Sequence, residues 1–200
     1  GYHHGNLRQA LVDAALSLIE EKGPQGFTLS EAAKAADVTP AAVYRHFAGR
    51  DDLLAEVARQ GYDIFGALME FAYDGGKPSA LAAFEATGRA YLAFARKYPG
   101  HYKAMFEAGL SLTDHPDLAQ VAGRSREVLE KAAEGLWANM APGRRPPASM
   151  VSAHVRAMSH GVVELFMRGG GGGSPFQAED LLEAGIGIYL RGLGLLPPDR

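Results

Sequence analysis

The sequence has 200 residues, of which 47% are hydrophobic and 22% are charged, a balance typical of a globular protein of one or two domains. It contains no cysteine, which excludes disulfide bonds, zinc–thiolate sites and cysteine nucleophiles. The formal net charge of −3 argues against binding to nucleic acid by bulk attraction, so any such binding requires a local basic surface.

Targeting and membrane signals are absent from the sequence. The N-terminus lacks the cationic and then apolar pattern of a secretory signal, and no apolar run approaches the roughly 18 residues of a transmembrane helix. We therefore expect a cytoplasmic protein with no membrane partner.

The hydrophobic pattern is helical almost throughout the chain. Leu7, Leu11, Ala14 and Leu18 recur at helical spacing, so the chain opens with an amphipathic helix. No run alternates with the period of two that a half-buried strand requires. The glycine run 169–173 predicts a flexible loop, because each Gly costs ~1 kcal/mol in a helix relative to Ala. We predict an all-α protein of about nine helices, at residues 6–22, 30–36, 40–47, 51–73, 79–97, 100–108, 116–140, 148–168 and 178–195.

Two short helices joined by a tight turn stand out at residues 28–47. Ala32 and Ala33 are small enough for the helices to pack closely at a steep angle. Val43 and Phe47 are spaced to face the long first helix and to bury the core of this domain. Together the three helices predict a homeodomain-like helix-turn-helix.

The other face of the second short helix is polar and basic. No acidic residue lies between Val38 and Arg50, whereas Arg45 and Arg50 are cationic. Such a helix enters the major groove, where small side chains permit close approach and Arg pairs with guanine, while other polar groups bind phosphates. The predicted DNA-contacting residues are Thr28, Ser30, Thr39, Pro40, Ala41, Ala42, Tyr44, Arg45, His46 and Arg50.

Several of these residues also have a purely structural interpretation. Tyr44 could pack against the first helix, and Thr28 could cap the first short helix, a role compatible with a phosphate contact. His46 could be an ordinary surface histidine and Arg45 a solvated charge.

This segment resembles the DNA-binding domain of the tetracycline repressor (TetR) family over residues 6–56. Asp37 stands where the family usually has Gly, but Asp tolerates the left-handed conformation better than most residues, so we expect the turn to be kept. The shared features are Phe27-Thr28 opening the first short helix, Ala33 within it, Val38 in the turn, Tyr44-Arg45-His46-Phe47 closing the second helix, and Arg50 before Leu53-Leu54.

The resemblance implies two domains. Residues 1–56 form the DNA-binding domain, with its helix-turn-helix at about 28–47, and residues 57–200 form a helical ligand-binding and dimerisation domain. The residues that the resemblance places against DNA are Thr28, Thr39, Tyr44, His46 and Arg50.

Two adjacent histidines, His3 and His4, precede the first helix. Neighbouring side chains of an extended arm point apart, and no cluster of Asp, Glu or Cys accompanies them, so we expect no metal and no other cofactor. An arm that lies near the DNA backbone is the better interpretation, and disorder without DNA is the alternative.

Aromatic and thioether side chains are dense in the second domain. Ligand sites are mainly apolar with a few polar groups, so a subset of these residues could line a cavity for a small molecule, although any one of them could equally be ordinary core. The candidate pocket residues are Phe65, Met69, Tyr91, Phe94, Tyr102, Met105, Phe106, Trp137, His154 and Met158.

Residues 90–106 resemble a C-terminal domain type of the same family that is named for a Trp-His-Gly motif. His160 and Gly161 keep part of that motif, with Ser159 where Trp is expected. We expect Gly161 to allow close approach of another helix.

The last two long helices carry apolar stripes. The resemblance implies that they form a four-helix bundle in a homodimer, and that the dimer binds a palindrome whose half-sites are about 34–36 Å apart. The alternative is that both stripes pack within one chain. The candidate dimer residues are Val151, Val155, Val162, Phe166, Leu182, Ile186, Tyr189 and Leu193.

The leading hypothesis is a ligand-responsive repressor that binds a DNA operator and is released by an unidentified small molecule. An enzyme with a helical pocket is disfavoured, since the sequence contains no HExxH motif, no serine elbow and no nucleotide-binding loop after a strand. A scaffolding dimer whose helix-turn-helix no longer binds DNA is the third hypothesis. Salt-dependent DNA binding distinguishes it from the first.

Overall fold

The computed structural model describes residues 7–138, 140–168 and 175–196. These residues contain nine α-helices and no β-strand, which confirms the predicted all-α class. In the described part of the chain, no helix is both long and apolar enough to cross a membrane. The predicted N-terminal arm and the predicted loop at 169–173 lie outside the described residues. The helices are α1 (Leu7–Lys22), α2 (Leu29–Ala35), α3 (Pro40–Val43), α4 (Arg50–Tyr73), α5 (Ala80–Lys97), α6 (Pro99–Phe106), α7 (Pro116–Leu136), α8 (Ala148–Val162) and α9 (Ala178–Gly192).

The described residues pack into two compact units. The first unit combines residues up to 64 with residues 98–122, and the second combines residues 65–97 with residues from 123 onwards. Helix α6 therefore belongs to the first unit, where it packs against α1. The sequence-based domain boundary between residues 56 and 57 stays a prediction.

Helix α1 packs into the core of the first unit along the face that its sequence predicts. Leu11, Ala15 and Ile19 on this face are fully buried. Gly23 ends the helix in the left-handed conformation, with φ of 78°, and its N–H donates to the carbonyl of Ile19. Lys103 of α6 donates from Nζ to the carbonyl of Glu20 at 2.9 Å, which satisfies another free carbonyl at the same helix end.

The helix-turn-helix is formed by α2 and α3. Asp37 adopts φ of 56° in the connecting turn, which confirms that Asp replaces the usual Gly there without loss of the turn. The second helix is shorter than predicted, because it ends at Val43 rather than at Phe47. The N–H groups of Arg45 and His46 donate to carbonyls three residues back, so the chain tightens into a turn.

Helix α4 also begins differently from the prediction. The predicted helix starts at Asp51, whereas the observed helix starts at Arg50. The side chain of Asp52 accepts the backbone N–H of Ala48 at 3.0 Å, so the next carboxylate satisfies a free donor near the helix start.

The core of the second unit is formed by α5, α8 and α9 with their neighbours. Gly88 of α5 lies so close to α9 that a Cβ there would be 3.3 Å from both Leu182 and Ile186. Buried Ser159 donates to the carbonyl of Val155 at 2.9 Å, which satisfies its hydroxyl within α8. A π-helical stretch, Val163–Arg168, follows α8.

The expectation for Gly161 is wrong within the chain. A Cβ at this position would meet no atom within 4 Å, so Gly161 does not serve a close helix contact in the described structure.

Candidate DNA-binding site

The helix-turn-helix is held by a fully apolar inner face. Ala32 and Ala33 of α2 and Val43 of α3 are completely buried, and Phe47 is 1% exposed. The guanidinium of Arg8 lies over the Phe47 ring, 4.8 Å from its centroid, and covers the outer side of that ring. Helix α3 and the turn after it are therefore fixed to the body of the first unit.

The outer face of α3 and its following turn is open to solvent. Tyr44 is 62% exposed, so its side chain does not pack in the core. Arg45 is exposed as well, and His46 is half-buried. Thr39, Pro40 and Ala41 are exposed at the start of α3, while Ala42 is half-buried. The structure thus brings together seven of the ten predicted DNA-contacting residues on one short segment.

Thr28 and Ser30 lie at the start of α2, and both are exposed. The Thr28 hydroxyl accepts the N–H of Glu31 at 3.2 Å, and the Glu31 carboxylate accepts the N–H of Thr28 at 2.9 Å, forming a capping box. The N-cap interpretation of Thr28 is confirmed. Hydrogen bonds from Lys22 and then from Thr28 lower the pKa of Glu31 from 4.5 to about 2.

Arg50 is anchored at the other edge of this region. Its Nη2 donates to the side-chain oxygen of Gln25 at 2.5 Å, and its Nη1 donates to the Gln25 carbonyl at 3.4 Å. The Gln25 amide in turn donates to the carbonyl of Ala108 at 2.8 Å. Gln25 could not be identified from the sequence, because no local spacing relates it to partners 25 and 83 residues away.

A buried carboxylate lies behind the helix-turn-helix. Glu56 is 7% exposed and accepts hydrogen bonds from Arg59 at 2.7 Å, Arg8 at 2.9 Å and Gln60 at 3.0 Å. Burial raises the pKa of Glu56, but the bonds from Arg59, Arg8 and Gln60 outweigh it and leave the pKa at about 2. Arg8, near the start of α1, is therefore paired with a carboxylate.

The candidate ligand-pocket residues are divided between the two units. In the second unit the Phe65 ring lies 5.2 Å from the Tyr91 ring and 5.0 Å from the Phe94 ring, measured between centroids. The Tyr91 hydroxyl lies 3.2 Å from Nδ1 of His160. Met69 and Trp137 are buried in that unit, Met158 is half-buried and His154 is exposed, whereas Tyr102, Met105 and Phe106 belong to the first unit.

A cavity of about 310 Å³ opens in the first unit. Its lining is polar and includes Arg8, Arg59, Asp114 and His115. None of the candidate pocket residues lines it, so the aromatic clusters and this cavity are separate features.

The candidate dimer residues do not all face outward. Val151, Val155, Leu182 and Ile186 are buried within a single chain. Val162, Tyr189 and Leu193 are half-buried, and Phe166 is exposed. The exposed large apolar side chains of α8, the π-helical stretch and α9 are Met150, Leu165, Phe166 and Ile188.

Two family models match separate parts of the chain. A family model described as "Bacterial regulatory proteins, tetR family" matches residues 11–57. A second model, described as "Tetracyclin repressor-like, C-terminal domain", matches residues 84–189, which is more than half of the chain. The Trp-His-Gly subtype stays a prediction.

A curated relative with a similar sequence is also a transcriptional regulator. The chain is 29% identical over 101 residues to the HTH-type transcriptional regulator YobS of Bacillus subtilis, an alignment that covers 50% of this chain and 51% of YobS. The chain therefore spans about half the length of that curated relative.

Solved structures share the fold over nearly the whole chain. A protein of unknown function from Rhodococcus sp. RHA1 is 26% identical with a TM-score of 0.80, covering 96% of this chain and 97% of that one. AibR, solved in complex with isovaleryl coenzyme A and operator DNA, has a TM-score of 0.72 at 17% identity, covering 91% of this chain and 97% of its own. With the helix-turn-helix geometry and both family models, these findings establish that the chain belongs to the tetracycline repressor (TetR) family of transcriptional regulators.

Proposed function

We propose that this regulator is a ligand-responsive repressor that binds a palindromic operator as a homodimer in the cytoplasm. The observation that carries the proposal is the exposed face of α3 and of the turn after it, where Tyr44 and Arg45 project from a frame fixed by buried Val43 and Phe47. A rigid frame with exposed polar groups suits groove binding, because the reading side chains need no reordering of the backbone. No ion pair or hydrogen bond to a described residue occupies the Arg45 side chain, so its donors are available to a base or phosphate.

The local charge of this face supports DNA binding although the chain is acidic overall. From Val38 to Arg50 the sequence carries two arginines and no carboxylate. Carboxylates of the same unit are engaged in ion pairs, since Glu56 is paired with Arg8 and Arg59, Glu31 with Lys22, and Asp51 lies 3.6 Å from Arg50. A small cationic surface of this kind gives modest affinity alone, which favours a dimer with two reading helices.

The proposed dimer face differs from the stripes chosen from the sequence. Exposed Met150, Ala157 and Leu165 follow one another along α8 and its extension, and Ile188 is exposed on the adjacent α9. A Cβ at Gly161 or Gly192, which lie in the same two segments, would meet no atom within 4 Å. An exposed apolar surface over two neighbouring helices is typical of a protein interface, and a second copy would complete a four-helix bundle.

Ligand response is proposed by analogy with AibR, whose structure contains both isovaleryl coenzyme A and operator DNA. Helix α4 begins in the first unit and ends in the second, so a ligand that moves its C-terminal half can displace the reading helices. Such release requires that the ligand bind one state more tightly than the other. A small-molecule screen tests this step: a compound that raises Tm and releases DNA supports it, whereas Tm-raising compounds that leave DNA affinity unchanged contradict it.

The DNA contacts are tested with single substitutions in the full chain. Arg45→Ala is expected to weaken binding to an operator selected from random-sequence DNA by about 5-fold to 150-fold and to relax base preference, as loss of a base contact does. Arg50→Ala is expected to weaken binding to all sequences and to lower the slope of log K against log salt by about one, as loss of a phosphate contact does. Fluorescence anisotropy at several salt concentrations measures both quantities.

Arg126→Ala is the matched control, because Arg126 is an exposed cation of α7 in the second unit. It is expected to leave affinity and salt slope unchanged. If Arg45→Ala and Arg50→Ala behave like this control while the protein stays folded, the assignment of the DNA-binding face is wrong.

A further inference from the structure

Gln25 lies in the break between α1 and α2, and its side chain forms hydrogen bonds to two other segments of the chain. Its amide nitrogen donates to the carbonyl of Ala108 at 2.8 Å, just after α6, and its amide oxygen accepts from Arg50 at 2.5 Å, at the start of α4. The backbone carbonyl of Gln25 accepts a second bond from Arg50 at 3.4 Å. All three residues lie in the first unit.

The chemistry of the partners fixes the orientation of the amide. A guanidinium only donates, so it must face the amide oxygen, and a backbone carbonyl only accepts, so it must face the amide nitrogen. One planar group therefore joins Arg50 to the segment after α6. A displacement of Ala108 or of Gln25 must either move the Arg50 guanidinium or break a hydrogen bond.

The α6 end of this link is itself fixed. Lys103 of α6 donates to the carbonyl of Glu20 at 2.9 Å, at the C-terminal end of α1. Gly100 lies so close to α1 that a Cβ there would be 3.0 Å from Oε1 of Glu20. Ala108 is 6% exposed. The carbonyl that holds Gln25 therefore belongs to a packed part of the first unit rather than to a loose turn.

We propose that Gln25 is a positioning residue for DNA binding, which holds the Arg50 guanidinium in place for a backbone phosphate. This inference rests on the proposed function. Arg50 has five N–H donors. Nη1 and Nη2 each donate one to Gln25, and Nη2 also lies 3.6 Å from Oδ1 of Asp51, so Nε and the second hydrogen of Nη1 remain for a phosphate while the side chain is held. A guanidinium that is already ordered loses less conformational entropy on binding, which is why loss of the link is expected to weaken DNA binding.

A double-mutant cycle tests the role of Gln25. Gln25→Ala is expected to weaken binding to a labelled mixed-sequence DNA duplex about threefold to tenfold, and to lower the salt slope by up to about one. In the Arg50→Ala background the same substitution is expected to change neither quantity, because the group that it positions is gone. Gln25→Met keeps the length of the side chain but removes its two side-chain hydrogen bonds, and it is expected to reproduce the result.

Gln9→Ala is the matched control, since Gln9 is another hydrogen-bonded glutamine of the first unit, whose amide donates to Asp13 at 2.8 Å. It is expected to leave the salt slope unchanged. Equal losses from Gln25→Ala in both backgrounds would mean a purely structural role and would overturn the inference, as would unchanged binding by folded Gln25→Ala and Gln25→Met. If the wild-type chain does not bind the duplex, the proposed function fails instead, so the two failures are distinct.

Discussion

Ile188→Glu is expected to convert the protein from a dimer into a monomer and to weaken operator binding by at least about 100-fold. Ile188 is 67% exposed on α9, a helix that packs against α8. In a two-fold interface each substitution occurs twice, so two carboxylates would be desolvated on one apolar surface. Specific DNA affinities of about 10⁻⁸ to 10⁻¹¹ M depend on both half-sites, so a monomer loses about half of the binding free energy.

Sedimentation velocity and operator anisotropy measure the two effects of Ile188→Glu. Phe71→Glu is the matched control, because Phe71 is 84% exposed on α4, away from the proposed face in sequence, and undergoes the same chemical change. It is expected to leave the protein dimeric. A dimeric Ile188→Glu variant would show that another surface mediates association. A monomeric variant with unchanged operator affinity would show that dimerisation is not needed for binding.

Glu56→Gln is expected to lower the free energy of unfolding at pH 7 by about 1–3 kcal/mol. The carboxylate is buried and bonds to Arg8, Arg59 and Gln60, and a neutral amide keeps its shape but not its charge. This loss of stability is moderate for a buried ion pair, because Arg8 and Arg59 are 49% and 38% exposed and can be solvated when their partner is lost.

The stability difference between the wild-type chain and Glu56→Gln is expected to depend on pH. The pKa of Glu56 is about 2 in the folded chain and 4.5 ordinarily, so its stabilisation is complete above 4.5 and disappears as the pH falls towards 2. Urea denaturation of both proteins should therefore give a difference that shrinks between these pH values. Glu21→Gln, at an exposed carboxylate of α1, is the control. A difference that persists at pH 2 would mean that packing, rather than charge, stabilises this site.

Much of the architecture could be predicted because its causes are local. Apolar spacing and Gly or Pro breaks placed all nine helices, and the left-handed turn at Asp37 followed from the tolerance of that residue for positive φ. The end of α3 was not predicted, because Arg45 and His46 donate to carbonyls three residues back, a change that apolar spacing does not report.

Contacts between distant segments could not be predicted from the hydrophobic pattern of the sequence. Nothing in one sequence relates Arg8 to Glu56 or Gln25 to Ala108, since each pair meets only when separate helices pack. Periodicity also identifies an apolar face without identifying what covers it. For this reason Val151 and Leu182, chosen as interface residues, are buried in their own chain, while the exposed Ile188 was overlooked.

We propose that exposed side chains of α3 and of the turn after it read DNA from each half of a dimer. Hydroxyl-radical footprinting of the full chain on an operator selected from random-sequence DNA tests it most directly. Two symmetric protected segments are expected on one face of the duplex, with their centres about 34–36 Å or a multiple of this distance apart, and both are expected to be lost with Arg45→Ala. Folded protein that selects no preferred sequence, or a footprint that Arg45→Ala leaves intact, would contradict it.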